Sequence, residues 1–85
     1  MRYVSSNTSL NEDDDTIEFI GKTTVWLPIF DTFKSTKEYT IINSGNDVGY
    51  ITTNENKKIY DVRVFEVYPG ESILIQKGRY NWLVK

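Results

Sequence analysis

The chain has 85 residues, ten basic and twelve acidic side chains, a formal net charge of −2, and neither cysteine nor histidine. This length predicts a single domain, and the missing residue types exclude disulfides, thiolate metal sites and histidine general bases. The charge balance argues against a nucleic-acid partner, since no excess of basic residues is present to neutralise phosphates. Because a chain this short builds a small core, oligomerisation is the remaining common route to stability.

The sequence predicts no membrane segment, no metal and no cofactor. The longest apolar run, residues 25–30, is too short to span a bilayer, and the N-terminus lacks the layout of a signal peptide. We therefore expect synthesis in the cytoplasm. The acidic residues 12–15 lack the spacing of a calcium loop, so a solvated acidic run is favoured over a Ca²⁺ site.

Residues 1–15 differ in composition from the rest of the chain. They are mostly Ser, Asn, Thr and acids, and such a segment buries too little apolar surface to fold alone. Two predictions stay open for it. It is either a disordered tail, or an extended arm that becomes ordered against a partner with Tyr3 and Val4 as the attachment residues.

Strand signals begin at residue 16, where apolar and polar residues alternate between short turn sequences. Residues 29–37 are predicted to be a loop that packs its aromatics under the fold, and a shift of phase after residue 64 predicts a bulge or bend. The predicted fold is all-β, a small antiparallel, jelly-roll-like β-sandwich of about seven short strands over residues 16–85. The predicted strands are 16–20, 23–27, 38–43, 48–53, 58–68, 72–77 and 80–84.

Four of these strands carry large apolar residues at adjacent positions, so both of their faces are apolar. A sandwich that folds alone needs only one apolar face per strand, and a second one usually marks an interface. Composition alone favours a dimer, the commonest closed assembly. The predicted oligomer-interface residues are Trp26, Ile42, Leu74 and Leu83.

The order of several segments is informative as a set. Val25-Trp26-Leu27-Pro28 is followed by Tyr39 to Gly45, then by Tyr68 to Ile75, and finally by Gly78 to Val84. This order resembles the small trimeric β-sandwich modules of bacteriophage head or tail fibre and decoration proteins. The resemblance covers residues 16–85 and implies a trimer in place of a dimer.

The resemblance implies a non-enzymatic virion structural protein, a short trimeric fibre, spike or decoration subunit on a phage head or tail. Such a subunit is made in the host cytoplasm and located in the virion. The implied partners are two further copies of the chain, a capsid or tail protein of the same particle, and a host surface glycan or protein. Trp82 matches the terminal tryptophan of these modules, which implies a packing role for it.

Two other functions stay open. The chain is alternatively a small interaction module that binds or inhibits a protein partner through an exposed sheet edge. It is alternatively a carbohydrate-binding module that stacks exposed aromatic rings on sugars, although core or interface packing is the more common use of such residues. Catalysis is disfavoured, because no histidine is present and no carboxylate pair stands out.

Overall fold

A computed structural model describes residues 1–32 and 37–85. The described residues form nine strands and a short 3₁₀ helix at Phe30–Thr32. Within these residues no helix is both long enough and apolar enough to cross a membrane. The strands are β1 (Arg2–Val4), β2 (Thr8–Ser9), β3 (Thr16–Phe19), β4 (Thr24–Leu27), β5 (Glu38–Asn43), β6 (Gly49–Thr53), β7 (Phe65–Val67), β8 (Ser72–Lys77) and β9 (Trp82–Val84).

The strands lie in two mixed sheets, a five-stranded sheet of order β1-β3-β5-β8-β9 and a four-stranded sheet of order β2-β4-β6-β7. In each sheet the first three strands are parallel, and the remaining strands are antiparallel to their neighbours. The all-β prediction is therefore confirmed, whereas the prediction of an antiparallel, jelly-roll-like arrangement is wrong for β1 to β6. Alternating residues predict that a segment is a strand, but the direction of its neighbour depends on the path of the chain.

The first six strands alternate between the two sheets, so the chain winds as a coil of three turns. Within each turn the two strands are joined across a corner. Val4, Phe19 and Asn43 are aligned in one sheet, and Thr8, Val25 and Ile51 are aligned in the other. The corners between these aligned positions are residues 5–7, 20–24 and 44–50, so each corner is longer than the one before it. The corners stack closely, since a Cβ on Gly45 would lie 3.2 Å from the backbone nitrogen of Gly21.

The N-terminal segment, predicted as a unit of its own up to residue 15, pairs with both sheets through this coil. It supplies β1 and β2, and it buries the side chains of Val4 and Leu10. The Asp14 carboxylate accepts hydrogen bonds from Arg2 Nη1 at 2.8 Å and from the Asn11 N–H at 2.9 Å. Composition misses this arrangement because two well-placed apolar side chains are sufficient when existing sheets supply the strand pairing.

A single hydrophobic cluster contains buried side chains from both sheets. Trp82 is fully buried and meets Phe30 edge to face, with ring centroids 5.6 Å apart, and it lies 6.1 Å from the ring of Tyr39. The packing role implied for Trp82 is therefore confirmed. Phe30 is also buried, as predicted for the aromatics of residues 29–37, whereas Phe33 lies outside the described residues.

Two residues lie at close contacts between the two sheets. A Cβ on Gly49 in β6 would lie 2.1 Å from the ring of Phe19 in β3, so only glycine fits beneath that ring. Asn43, at the end of β5, is buried, and its Nδ2 donates to the carbonyl oxygens of Val67 in β7 at 2.8 Å and Asp47 at 2.9 Å. The Asn43 amide therefore links the two sheets directly.

The predicted strand over residues 58–68 is interrupted, and only β7 forms within it. Ile59 and Val62 exchange backbone hydrogen bonds of 2.8 and 3.0 Å around a two-residue turn. Tyr60, the first central residue of that turn, has a φ of 62°, a conformation in which glycine is usual. The phase shift after residue 64 predicts a bulge or bend, and residues 63–64, between this turn and β7, are bent and outside any strand.

Candidate binding surfaces

Each of the four predicted interface residues is the outward member of its apolar run, because the neighbouring inward positions are filled by buried side chains. The structure does not bring all four together. Ile42, Leu74 and Leu83 lie on the outward face of the five-stranded sheet, whereas Trp26 lies on the outward face of the four-stranded sheet. The two outward faces are therefore separate candidate surfaces.

Four aliphatic side chains form a diagonal row across the five-stranded sheet. Leu74 pairs with Thr40, two residues before Ile42, and Leu83 pairs with Gln76, two residues after Leu74. Such diagonal neighbours on adjacent strands lie within reach of each other. Ile20 continues the row beyond Ile42, because it follows Phe19, which pairs with Asn43. We call this row the aliphatic stripe, and its members are Ile20, Ile42, Leu74 and Leu83.

The two ends of the aliphatic stripe are the most exposed parts of it. Ile20, which directly follows β3, is 50% exposed and Leu83 is 46% exposed, while the two central members are partly buried. Glu18 pairs with Ile42 on one side, and Gln76 Nε2 donates to the carboxylate of Glu38 at 3.4 Å on the other. An exposed apolar row with a polar border of this kind has the composition of a protein contact.

The two predicted attachment residues point in opposite directions. Tyr3 is exposed in the edge strand β1, where it pairs with Glu18 on the outward face of the five-stranded sheet. Val4 is buried in the hydrophobic cluster, so it is not available to a partner while the coil is intact. Attachment through Tyr3 stays a prediction.

The outward face of the four-stranded sheet has a different composition. Its two rings are diagonal neighbours, because Trp26 pairs with Thr52 and Tyr50 pairs with Thr24 in the parallel ladder of β4 and β6. Both aromatic side chains are partly exposed. The outward positions of its strands are Ser9, Thr24, Trp26, Tyr50, Thr52 and Glu66.

Tyr68 extends this surface beyond the end of β7. It is 50% exposed, and its hydroxyl donates a hydrogen bond to the carboxylate of Glu66. That hydrogen bond raises the pKa of Tyr68 above its usual value, and the charge of Glu66, burial and the charge of Glu71 act in the same direction. Tyr68 follows Glu66, the partner of Tyr50, by two residues, so the three aromatic residues border one surface. We call Tyr68 and the six outward positions together the aromatic face.

The turn after β7 holds Tyr68 in place. Gly70 has a φ of 86°, a conformation that favours glycine in a turn, and the Glu71 N–H donates to the Tyr68 carbonyl at 3.0 Å. Glu71 is exposed, its carboxylate accepts the Tyr68 N–H at 2.6 Å, and it forms no ion pair with a described lysine or arginine.

A group of lysines covers the aromatic end of the core. The ammonium groups of Lys57 and Lys77 lie 4.5 and 4.1 Å from the ring centroid of Phe30. Lys37 binds Asp15 at 2.8 Å, and this hydrogen bond lowers the pKa of the Asp15 carboxyl. Cation–π contacts of this kind stabilise the fold, so we assign these lysines a structural role.

No protein-family model, curated protein or solved structure matches this chain. Within residues 1–32 and 37–85, no group of three or more Asp, Glu, His or Cys side chains is placed to hold a metal ion. The two outward faces are therefore the candidate functional surfaces of the described residues.

Sequence reasoning does not single out Ile20, Tyr50 or Tyr68 as members of a surface. A signal exists for Ile20, since it continues the outward positions of β3 at the end of the predicted strand 16–20. No local signal places Tyr50 beside Trp26, because their proximity depends on the parallel pairing of β4 with β6.

Proposed function

We propose that this chain is a non-enzymatic structural subunit of a bacteriophage particle, a short fibre, spike or decoration protein that forms a homotrimer. The observation that carries the proposal is the aliphatic stripe, an exposed apolar row on a sheet whose other face already packs in the core. The order of segments along the chain, which resembles that of phage fibre modules, is the basis for proposing a phage particle and a trimer. In such a trimer the stripes of three copies face a common axis.

The same proposal includes a β-sandwich, with the five-stranded and four-stranded sheets packed face to face. Buried residues of both sheets belong to one cluster, which supports this packing. Two contacts between the sheets add support. Asn43 in β5 donates a hydrogen bond to Val67 in β7, and Gly49 in β6 lies directly against the Phe19 ring of β3.

The stripe is sufficient for reversible association but not for a permanent assembly. Fully burying an aliphatic side chain contributes about 1.5–3 kcal/mol, and the four members are already between half and largely buried. Association costs about 4–15 kcal/mol in lost freedom of motion. We therefore expect the free protein to be in a concentration-dependent equilibrium that attachment to a particle shifts toward the trimer.

Analytical ultracentrifugation over a range of concentrations tests the proposal. We expect the wild-type protein to approach three times its monomer mass of 9.9 kDa as the concentration rises. Leu74→Asp places a carboxylate in the centre of the stripe, where burying an unpaired charge is unfavourable, and should give a folded monomer. Thr24→Asp is the matched control, because it places the same charge on the outward face of the four-stranded sheet.

Two results would contradict self-association through the stripe. One is a wild-type protein that stays monomeric at millimolar concentration, and the other is a Leu74→Asp variant that assembles as well as Thr24→Asp. The location on a particle is tested separately. Tyr3→Ala should keep the fold and lower incorporation into particles, and normal incorporation would move the attachment surface away from β1.

A further inference from the structure

The aromatic face has a chemical composition that self-association does not explain. Its six strand positions hold two aromatic rings, three hydroxyl groups and one carboxylate, with no aliphatic and no basic side chain among them. Tyr68 adds a third ring whose hydroxyl is already bonded to Glu66. The outward side of this sheet therefore presents partly exposed rings surrounded by small hydrogen-bonding groups.

This composition selects among classes of ligand. Phosphate backbones and acidic polymers are bound by lysine and arginine, which are missing from these positions. Protein interfaces are enriched in Tyr, Trp, Met and Arg around an apolar centre; the six strand positions hold Trp26 and Tyr50 but no Met, no Arg and no aliphatic side chain. Neutral sugars fit better, because each presents an apolar ring face for an aromatic side chain and hydroxyls that pair with Thr, Ser and carboxylate groups.

The spacing of the rings fits an extended chain of sugars. Trp26 and Tyr50 sit on adjacent strands, two residues apart in register, which separates their Cα atoms by about 8 Å. Tyr68 follows Glu66, the antiparallel partner of Tyr50, by two residues. The rings thus form a row across β4, β6 and the end of β7, long enough for several sugar units.

We propose that the aromatic face binds neutral oligosaccharide chains by stacking sugar rings on Trp26 and Tyr50, with Tyr68 as a third contact. Thr24, Thr52 and Glu66 supply hydrogen bonds to sugar hydroxyls. This site is on the sheet opposite the aliphatic stripe, so it does not depend on whether the stripe forms a trimer.

Titration with defined sugars tests the site. Maltohexaose, cellohexaose and the hexamer of N-acetylglucosamine are added to the full-length protein, together with a printed array of neutral glycans, and binding is followed by calorimetry and tryptophan fluorescence. Trp82 is fully buried, so a ligand-dependent shift of the emission reports on Trp26. We expect at least one neutral glycan to bind and to shift the emission.

Matched variants distinguish ring stacking from a general effect on the fold. Trp26→Ala and Tyr50→Ala should each weaken binding by about tenfold or more, while Trp26→Phe should retain part of the affinity. Tyr80→Ala is the control, because it removes a more exposed ring from the turn between β8 and β9, away from the aromatic face. Circular dichroism checks that every variant keeps its strands, and Tyr68→Ala serves as the second surface variant if Trp26→Ala does not fold.

Three results would overturn the proposal. The first is no binding to any neutral glycan on the array or in solution. The second is binding that Trp26→Ala and Tyr50→Ala leave unchanged. The third is binding only to heparin or to a thymidine oligonucleotide, because charge recognition elsewhere on the surface would then account for it. Any of these three results would overturn glycan binding by the aromatic face and would leave the ultracentrifugation result for the aliphatic stripe unaffected.

Discussion

The outward faces of the two sheets are built on the same alternating pattern, yet they carry different chemistry. The five-stranded sheet presents a row of isoleucine and leucine residues, and the four-stranded sheet presents tryptophan, tyrosine and threonine. Most inward positions of both sheets supply apolar side chains to one cluster. Outward positions do not fill this cluster, so the two faces can differ in composition without disturbing it.

The largest effect should come from a substitution that destabilises the whole fold and therefore disrupts both outward faces. Gly49→Ala places a Cβ about on top of the Phe19 ring, at 2.1 Å in the present geometry, and overpacking of this severity should lower the free energy of unfolding by about 3 kcal/mol or more. Urea denaturation measures the loss. Adding Phe19→Leu to Gly49→Ala should recover part of it, and a single variant as stable as wild type would show that the sheets do not meet at this contact.

A somewhat smaller loss is expected from breaking the link between the sheets. Asn43→Ala removes the amide that holds Val67 and Asp47, leaves a buried carbonyl oxygen without this donor, and should destabilise the protein by about 2–3 kcal/mol. Asn46→Ala in the same turn is the control, because Asn46 is exposed. Equal melting temperatures for the two variants would contradict the proposed role of Asn43.

The independence of the two faces can be tested by measuring both activities on each variant. Leu74→Asp should weaken self-association by about tenfold or more while changing oligosaccharide affinity by less than about twofold, since distant sites are usually additive. Trp26→Ala should do the reverse. Sedimentation and calorimetry on the same preparations provide both readouts, and a variant that changes both would show that the faces are coupled.

The edge of the five-stranded sheet offers a substitution with an expected gain. Tyr60 is 67% exposed and has a φ of 62° in a turn beside Trp82, the residue before Leu83. A bulky residue with this backbone conformation costs about 1–3 kcal/mol, so Tyr60→Gly should raise stability by about 1 kcal/mol. Thermal unfolding measures the change relative to Tyr80→Gly. A lower melting temperature for Tyr60→Gly would mean that contacts of the Tyr60 ring stabilise the fold by more than the strained backbone destabilises it.

The smallest effect should appear on the aromatic face at high pH. The hydrogen bond to Glu66 raises the pKa of Tyr68 in the folded state above its unfolded value near 10. A raised pKa contributes stability that is present below about pH 10 and is lost as the pH rises through the folded-state value. Tyr68→Phe should therefore reduce the alkaline loss of stability, and identical pH profiles for the variant and the wild-type protein would rule out this contribution.

Local sequence patterns account for much of the strand content. β5 and β8 have the predicted bounds, 38–43 and 72–77, because each alternates cleanly between turn sequences. The same alternation places Ile42 and Leu74 opposite their buried neighbours, so their outward direction follows from local pattern. The strands of the first fifteen residues do not follow from it, since β1 and β2 are stable only where β3 and β4 already provide pairing partners.

Composition and alternation thus establish that this is an all-β chain with apolar residues on both faces of several strands, and with neither cysteine nor histidine to support other chemistry. They do not establish which outward residues are neighbours. Leu83 joins the row of Leu74, and Trp26 joins that of Tyr50, through the register between strands and the winding of the chain from sheet to sheet. Strand direction and register arise from hydrogen bonds between residues far apart in the chain, and no local pattern of side chains specifies them.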